Sequence, residues 1–136
     1  MPFVLDSSVA LAWILPDEHS DAVDQIADRL ENDVAVVPAV WPLEVLDALL
    51  TASRRARIGA QDMQRLLSHL ASLPIEIEQI DMTQMLEVVS ALAQHHGITS
   101  YDAAYVEVAK RRGVPLATLD RKLKEVSLAE GLSVIP

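Results

Sequence analysis

The sequence has no cysteine, which excludes disulfides, thiolate nucleophiles, iron–sulfur clusters and Cys-ligated zinc together. Aromatic residues are only 4% of a chain that is 51% hydrophobic, so its core must be built from Ala, Val, Leu and Ile. No apolar run approaches the ~20 residues that a membrane helix needs. The opening Met-Pro-Phe-Val-Leu-Asp has no basic region ahead of an apolar stretch, so no secretory leader is expected. These absences predict a soluble, cytoplasmic protein without membrane contact. Familiar catalytic signatures are missing too. No Gly-x-Gly-x-x-Gly follows the first apolar run, no phosphate-binding Gly-rich loop with Lys exists, and Ser7 and Ser8 stand in no nucleophile elbow. His95 and His96 end a helical pattern ahead of Gly97; adjacent helix positions diverge, so they read as charge at a helix C-terminus rather than a shared metal site.

At 136 residues the chain is expected to be one domain, spanning 1–136, large enough to bury roughly two-thirds of its unfolded surface. The formal net charge of −9 argues against a general affinity for nucleic acid, but the charge is unevenly spread. Residues 1–53 hold ten acids and one base, Arg29, whereas residues 54–136 hold ten of each. Nine of the bases fall in three clusters, 54–57, 110–112 and 121–124, so an acidic chain still offers local basic surface.

Strand and helix patterns alternate. Phe3–Leu5 reads as a buried strand, then helices over Val9–Leu15 and Asp21–Glu31, with apolar residues at helical spacing in the second. Val34–Val37 reads as a second strand, and Pro42 suits the first turn of a helix carrying Val45, Leu46, Leu49 and Leu50. A helix with Met63, Leu66, Leu67 and Leu70 precedes the period-two run Ile75–Ile80, a half-exposed strand. Two further helices (Met85–Ala93, Thr99–Arg112), a strand over Val114–Leu119, a helix over Arg121–Glu130 and a short edge strand near Val134 complete the chain. All four glycines follow a helical pattern, where C-terminal caps belong. Such alternation predicts an α/β fold with a mainly parallel sheet covered on both faces.

Four carboxylates stand out. Asp6 ends the first strand, Glu44 and Asp102 lie in first turns of helices, and Asp120 ends the Val114–Leu119 run. In an open parallel sheet, strand ends and helix starts share one side, where ligands bind at the point of strand-order reversal. Each acid alone is explained by capping or the helix dipole. Asp6 fits that explanation least, because Ser7 or Ser8 could cap equally well. If the four converge, each close pair repels by about 4 kcal/mol at 4 Å and an effective dielectric of ~20. Either their pKa values rise or a cation sits among them. Oxygen-only ligands favour a hard cation such as Mg²⁺ or Mn²⁺, and such a site suits metal-assisted phosphodiester hydrolysis.

The segments Val4-Leu-Asp6-Ser-Ser-Val9, Pro42-Leu-Glu44-Val, Thr99-Ser-Tyr-Asp102-Ala-Ala-Tyr105 and Leu116-Ala-Thr-Leu-Asp120-Arg-Lys-Leu123 together resemble PIN-domain ribonucleases of the VapC toxin type, over essentially the whole chain. The resemblance implies a PIN-like, Rossmann-like three-layer fold with four or five parallel strands. It implies a Mg²⁺-dependent endoribonuclease, with Mn²⁺ able to substitute, that leaves 5′-phosphate and 3′-hydroxyl ends. A homodimer and a cognate antitoxin protein are its implied partners, and RNA its substrate. By motif match Asp6 and Asp102 are the main metal ligands, Glu44 and Asp120 complete the pocket directly or through water, and Ser8 and Thr118 supply nearby hydroxyls. The chain departs from the family at Asp47, where Asn is common three residues after the pocket Glu.

The sequence adds a candidate RNA-binding rim, Arg121, Lys122 and Lys124, directly after Asp120. Trp13 and Trp41, if exposed, would mark the dimer or antitoxin contact. The alternatives are a catalytically silent binding module of the same fold, a receiver-type signalling domain and a structure-specific DNA nuclease. The receiver class wants an acidic pair after the first strand, where this chain has Asp6-Ser-Ser.

Overall fold

The computed structural model describes residues 1–135, apart from the Pro16 side chain. Strand β1 (Phe3–Leu5) is apolar and wholly buried, and leads into helices α1 (Ser7–Ile14) and α2 (Asp21–Arg29). Strand β2 (Ala35–Pro38) is likewise buried along its length and is followed by α3 (Trp41–Arg54) and α4 (Ala60–Ser72). Strand β3 (Ile75–Glu78) is a sheet edge; its alternating sequence is not matched by its burial, since Ile77 is exposed and Glu78 half-buried. One continuous helix then covers residues 82–96, in three parts: α5 (Met82–Gln84), a π-helical turn (Met85–Val89) and α6 (Ser90–His96). Helix α7 (Ser100–Arg112), strand β4 (Leu116–Ala117), helix α8 (Arg121–Ala129) and strand β5 (Val134–Ile135) follow.

The five strands are all parallel, in the order β3-β2-β1-β4-β5. The chain winds outward from β1 to β3, returns across the sheet, and resumes on the other side of β1. The order therefore reverses between β1 and β4. Right-handed crossovers put α1–α4 on one face, where α1 packs on α2 and α3, and the later helices on the other, where α7 packs on α6 and α8. Helix α7 lies across β1 and β2. Its interior residues from Ala103 to Ala109 are all buried, which makes it the central helix of its layer.

The structure alters several readings. The strand expected over Val114–Leu119 is only Leu116–Ala117, because Pro115 has no N–H to give the ladder and the chain leaves the sheet at Thr118. Gly97, Gly113 and Gly131 hold positive φ, as helix ends require, but Gly59 (φ −76°) is the N-cap of α4. The left-handed position after α3 is taken by Ala56 (φ 58°), and the Arg57 N–H folds back onto the Ala52 carbonyl at 2.8 Å. A non-glycine residue there costs on the order of 1 kcal/mol. Neither tryptophan is a free surface. Trp41 is buried in the core, and the half-buried Trp13 donates its indole N–H to the Val23 carbonyl at 2.8 Å. Exposed apolar side chains on α3 are instead Leu43, Leu46 and Leu50.

Candidate active site

Strand β1 delivers Asp6 to the point of strand-order reversal. The Asp6 N–H donates to the Ala117 carbonyl at 3.0 Å, so the end of β1 is fastened to the end of β4. Asp6 occupies the N-cap of α1, yet its carboxylate makes no capping hydrogen bond. It is 4% exposed and accepts on one oxygen from both neighbouring hydroxyls: Ser8 Oγ at 2.7 Å and Thr118 Oγ1 at 2.7 Å. Those hydroxyls are themselves fixed by backbone amides. Leu119 N–H donates to Ser8 Oγ at 3.0 Å, and Asp120 N–H donates to Thr118 Oγ1 at 3.0 Å. A two-residue step off β4 thus ties together Asp6, Ser8, Thr118 and Asp120.

The other three acids start helices in different ways. Asp120 is a true cap, its Oδ1 accepting from the Leu123 N–H at 2.9 Å. Asp102 is not a cap: Thr99 takes that role, accepting from the Asp102 N–H at 3.1 Å. Glu44, in the first turn of α3, accepts from the Tyr105 hydroxyl at 2.5 Å. Tyr105 was not singled out from the sequence as a site residue. Its spacing three residues after Asp102, which places both on one side of a helix, was the available signal.

The four acids feel one another. Burial raises Asp6 above the ordinary carboxylate value; bonds from Thr118 and Ser8 hold it down, and the charge of Asp120 adds to the rise. Glu44 is raised first by burial, against the lowering bond from Tyr105, and then by Asp6 and Asp102. Asp102 is raised by burial and then by Asp6 and Asp120. Among the described residues none of the four has a Lys, Arg or His within ion-pair distance. The structure therefore gathers uncompensated negative charge at one end of the sheet. This arrangement suits a cation, and the donor set, carboxylate and hydroxyl oxygen without sulfur or imidazole, suits a hard one. Among the described residues no three acidic or histidine side chains close into a ready cage. An open cluster of this kind fits an ion that keeps several waters and takes the rest of its shell from substrate.

Not every candidate joins the cluster. Asp47 is exposed, about one helical turn further along α3 than Glu44, and has no hydrogen bond to the acids among the described residues. Arg121 and Lys122 are exposed and Lys124 half-buried on the first turn of α8. Arg121 faces only Glu125, at 3.8 Å, and Lys122 and Lys124 have no ion pair among the described residues. By contrast Lys110, Arg111 and Arg112 are all engaged, with Glu130, with Glu107 and Glu78, and with Glu78.

Residues 3–128 match the PIN domain family. The chain is 30% identical to ribonuclease VapC3 from Pyrobaculum aerophilum, over 92% of this chain and 94% of that protein. Its fold is similar to the crystal structure of PAE2754 from the same organism, with a TM-score of 0.72, 23% identity, and coverage of 99% of this chain and 92% of that one. It is also similar to VapBC2 from Rickettsia felis, solved with a DNA fragment from its promoter. There the TM-score is 0.68 at 17% identity, covering 98% of this chain and 97% of that one.

Proposed function

The chain belongs to the PIN-domain family, and from that premise we propose that it is a VapC-type endoribonuclease toxin whose acid cluster hydrolyses RNA phosphodiester bonds. The observation that supports this reading is that Asp6, Glu44 and Asp102, from three separate segments, are each raised by burial and by the charge of neighbouring acids, Asp120 among them. A structural role alone does not account for such an arrangement, since it works against folding.

In this proposal Asp6 and Asp102 hold a divalent cation, Mg²⁺ with Mn²⁺ able to substitute, and Glu44 and Asp120 complete its surroundings directly or through water. When bound, such an ion lowers the pKa of a water and offsets charge on the phosphate. The protein's own groups do the positioning. Ser8 and Thr118 lock Asp6 by occupying one of its oxygens, leaving the other for the pocket. Glu44, raised above the ordinary carboxylate value by burial, orients the attacking water and accepts its proton. Attack in line with the 3′ oxygen leaves a 5′-phosphate and a 3′-hydroxyl. Arg121, Lys122 and Lys124, next in sequence to Asp120, offset the repulsion between an acidic pocket and the RNA backbone; such contacts hold the strand without reading bases. Asp47 takes no part.

The partners proposed are RNA, a cognate antitoxin and a second copy of the chain. Two exposed apolar groups are available for protein contact: Leu43, Leu46 and Leu50 on α3, and Met82, Leu86 and Tyr101 on the opposite face. No helix among the described residues is long and apolar enough to cross a membrane, and a cytoplasmic location belongs to the same proposal.

The test is cleavage of a mixed RNA pool, tRNA included, with Mn²⁺, with Mg²⁺ and with EDTA, beside Asp6→Asn. Cleavage that needs metal and is lost in the variant is the expected result. Metal-independent cleavage that survives Asp6→Asn overturns the assignment.

A further inference from the structure

Tyr105 is 0% exposed, yet its hydroxyl does not sit in an apolar setting. It donates to Glu44 Oε1 at 2.5 Å. Glu44 has no other hydrogen-bond partner among the described residues, and it is only half-buried. Left alone, a Glu side chain with three rotatable bonds on the first turn of a helix turns outward to water, and all the more so when Asp6 and Asp102 repel it. Something must hold it against both tendencies.

We propose that Tyr105 is a positioning residue that pins Glu44 in the acid pocket through the hydrogen bond from its hydroxyl. The inference rests on the reading of Glu44 as a pocket residue. The geometry supports it in three ways. First, the phenol occupies one oxygen of Glu44 and leaves the other free. Second, Tyr105 follows Asp102 by three residues on α7, so both side chains leave the same side of that helix. A single rigid element thereby supplies one acid of the pocket and fixes a second that belongs to α3. Third, the ring is locked by complete burial, so the hydroxyl has no freedom to follow Glu44 outward. This is the logic by which outer partners orient the ligands of a metal site, where losing the partner costs about 10–100-fold in affinity or activity.

The test uses the 136-residue chain in four forms: wild type, Tyr105→Phe, Glu44→Gln and the double variant. Phe keeps the buried ring and removes only the donor. Mn²⁺ affinity is read by titration calorimetry, because Glu44→Gln is expected to cleave too slowly for a rate-based comparison. Tyr105→Phe is expected to weaken Mn²⁺ binding and to lower kcat by about 10–100-fold with KM for RNA little changed. On the Glu44→Gln background the same substitution is expected to have no further effect on Mn²⁺ binding, since residues acting as one unit are non-additive. Unchanged binding and rate in Tyr105→Phe, or full additivity in the double variant, overturns the inference. Full cleavage by Glu44→Gln is a different failure: it removes Glu44 from the pocket and sinks the underlying reading. If Tyr105→Phe does not fold, the phenol proton of the wild type reports the same bond by NMR. It is expected to exchange slowly and to shift in Glu44→Gln; a proton indifferent to that change also overturns the inference.

Discussion

The two ends of helix α7 carry opposite charge and opposite fates. Its first turn holds Asp102, and its last holds Lys110, Arg111 and Arg112. Both placements agree with the helix dipole. At the last turn every base is neutralised: Lys110 meets Glu130 at 2.6 Å, Arg111 meets Glu78 at 2.7 Å as well as the buried Glu107, and Arg112 meets Glu78 at 3.1 Å. At the first turn Asp102 has no cationic partner among the described residues, and the charges it feels are those of Asp6 and Asp120. One end therefore holds the fold together and the other strains it. Negative charge left unpaired in this way is the feature on which the proposed site rests.

That contrast is broken most sharply by neutralising each end in turn. Asp102→Asn is expected to lower RNA cleavage at least ~100-fold, the scale for losing a positioned catalytic group, with circular dichroism and melting showing an intact fold. Substantial activity in this variant would erase the distinction between the ends. The reverse pattern is expected at the other end. Glu107 is 2% exposed, and Glu107→Ala, which strips Arg111 of its buried partner, should cost about 2 kcal/mol in urea unfolding. Its cleavage rate, measured where the protein is fully folded, should stay at the wild-type value.

How much of this was legible in the sequence follows from the range of the forces involved. The runs read as strands over Phe3–Leu5, Val34–Val37 and Ile75–Ile80 fall on β1, β2 and β3 within one or two residues, because apolar patterning is local in the chain. The carboxylates were legible as helix starts, and the Thr99–Tyr105 motif marked Asp102. Their convergence was not, because it depends on the order reversal between β1 and β4, which no local pattern encodes. The C-terminal cap expected at Gly59 fails for a related reason. A helical run followed by Gly suggests a C-terminal cap, but α3 ends earlier, and the left-handed position falls on Ala56 against local preference. The partner of Tyr105 lies 61 residues away, beyond any periodicity.

The same contrast separates the basic clusters. Bases at 110–112 are consumed by internal pairs, whereas Lys122 and Lys124 are not. Replacing Arg121, Lys122 and Lys124 together by Gln is expected to weaken RNA binding about tenfold near physiological salt. It should also reduce the slope of log affinity against log salt by about 2, at ~0.7 per single-strand phosphate contact. Replacing Lys110 should leave that slope unchanged. Equal slopes for all these variants would mean the distinction between paired and unpaired bases has no bearing on RNA. On the stability side, Asp6→Asn removes a buried charge that other acids repel. It should raise the melting temperature of the metal-free protein by a few degrees, on the order of 1 kcal/mol. Mn²⁺ should raise the wild-type melting temperature more than that of the variant.

The smallest effect distinguishes the two ends by the sign of their pH dependence. Glu130 is held below the ordinary carboxylate range by Lys110 and then His96. A depressed folded-state pKa means stability that is present above the unfolded value of 4.5 and is lost as pH falls through the folded value. Asp6, Glu44 and Asp102 are raised, so the folded state takes up their protons first. Their cost is fully present above their folded values and disappears as pH falls through those values toward the ordinary 3.8 to 4.5. Two variants read these terms separately in metal-free melting series from pH 7 to 3. Asp6→Asn should be more stable than wild type at pH 7, with the difference shrinking toward pH 4. Glu130→Gln should be less stable at pH 7 by under ~1 kcal/mol, because Lys110 is largely solvated, with the difference persisting to about pH 4.5 and vanishing only below it. The opposite signs, rather than the sizes, carry the argument: if both variants shift stability in the same direction at pH 7, the acids at the two ends of α7 do not differ in the way their partners imply.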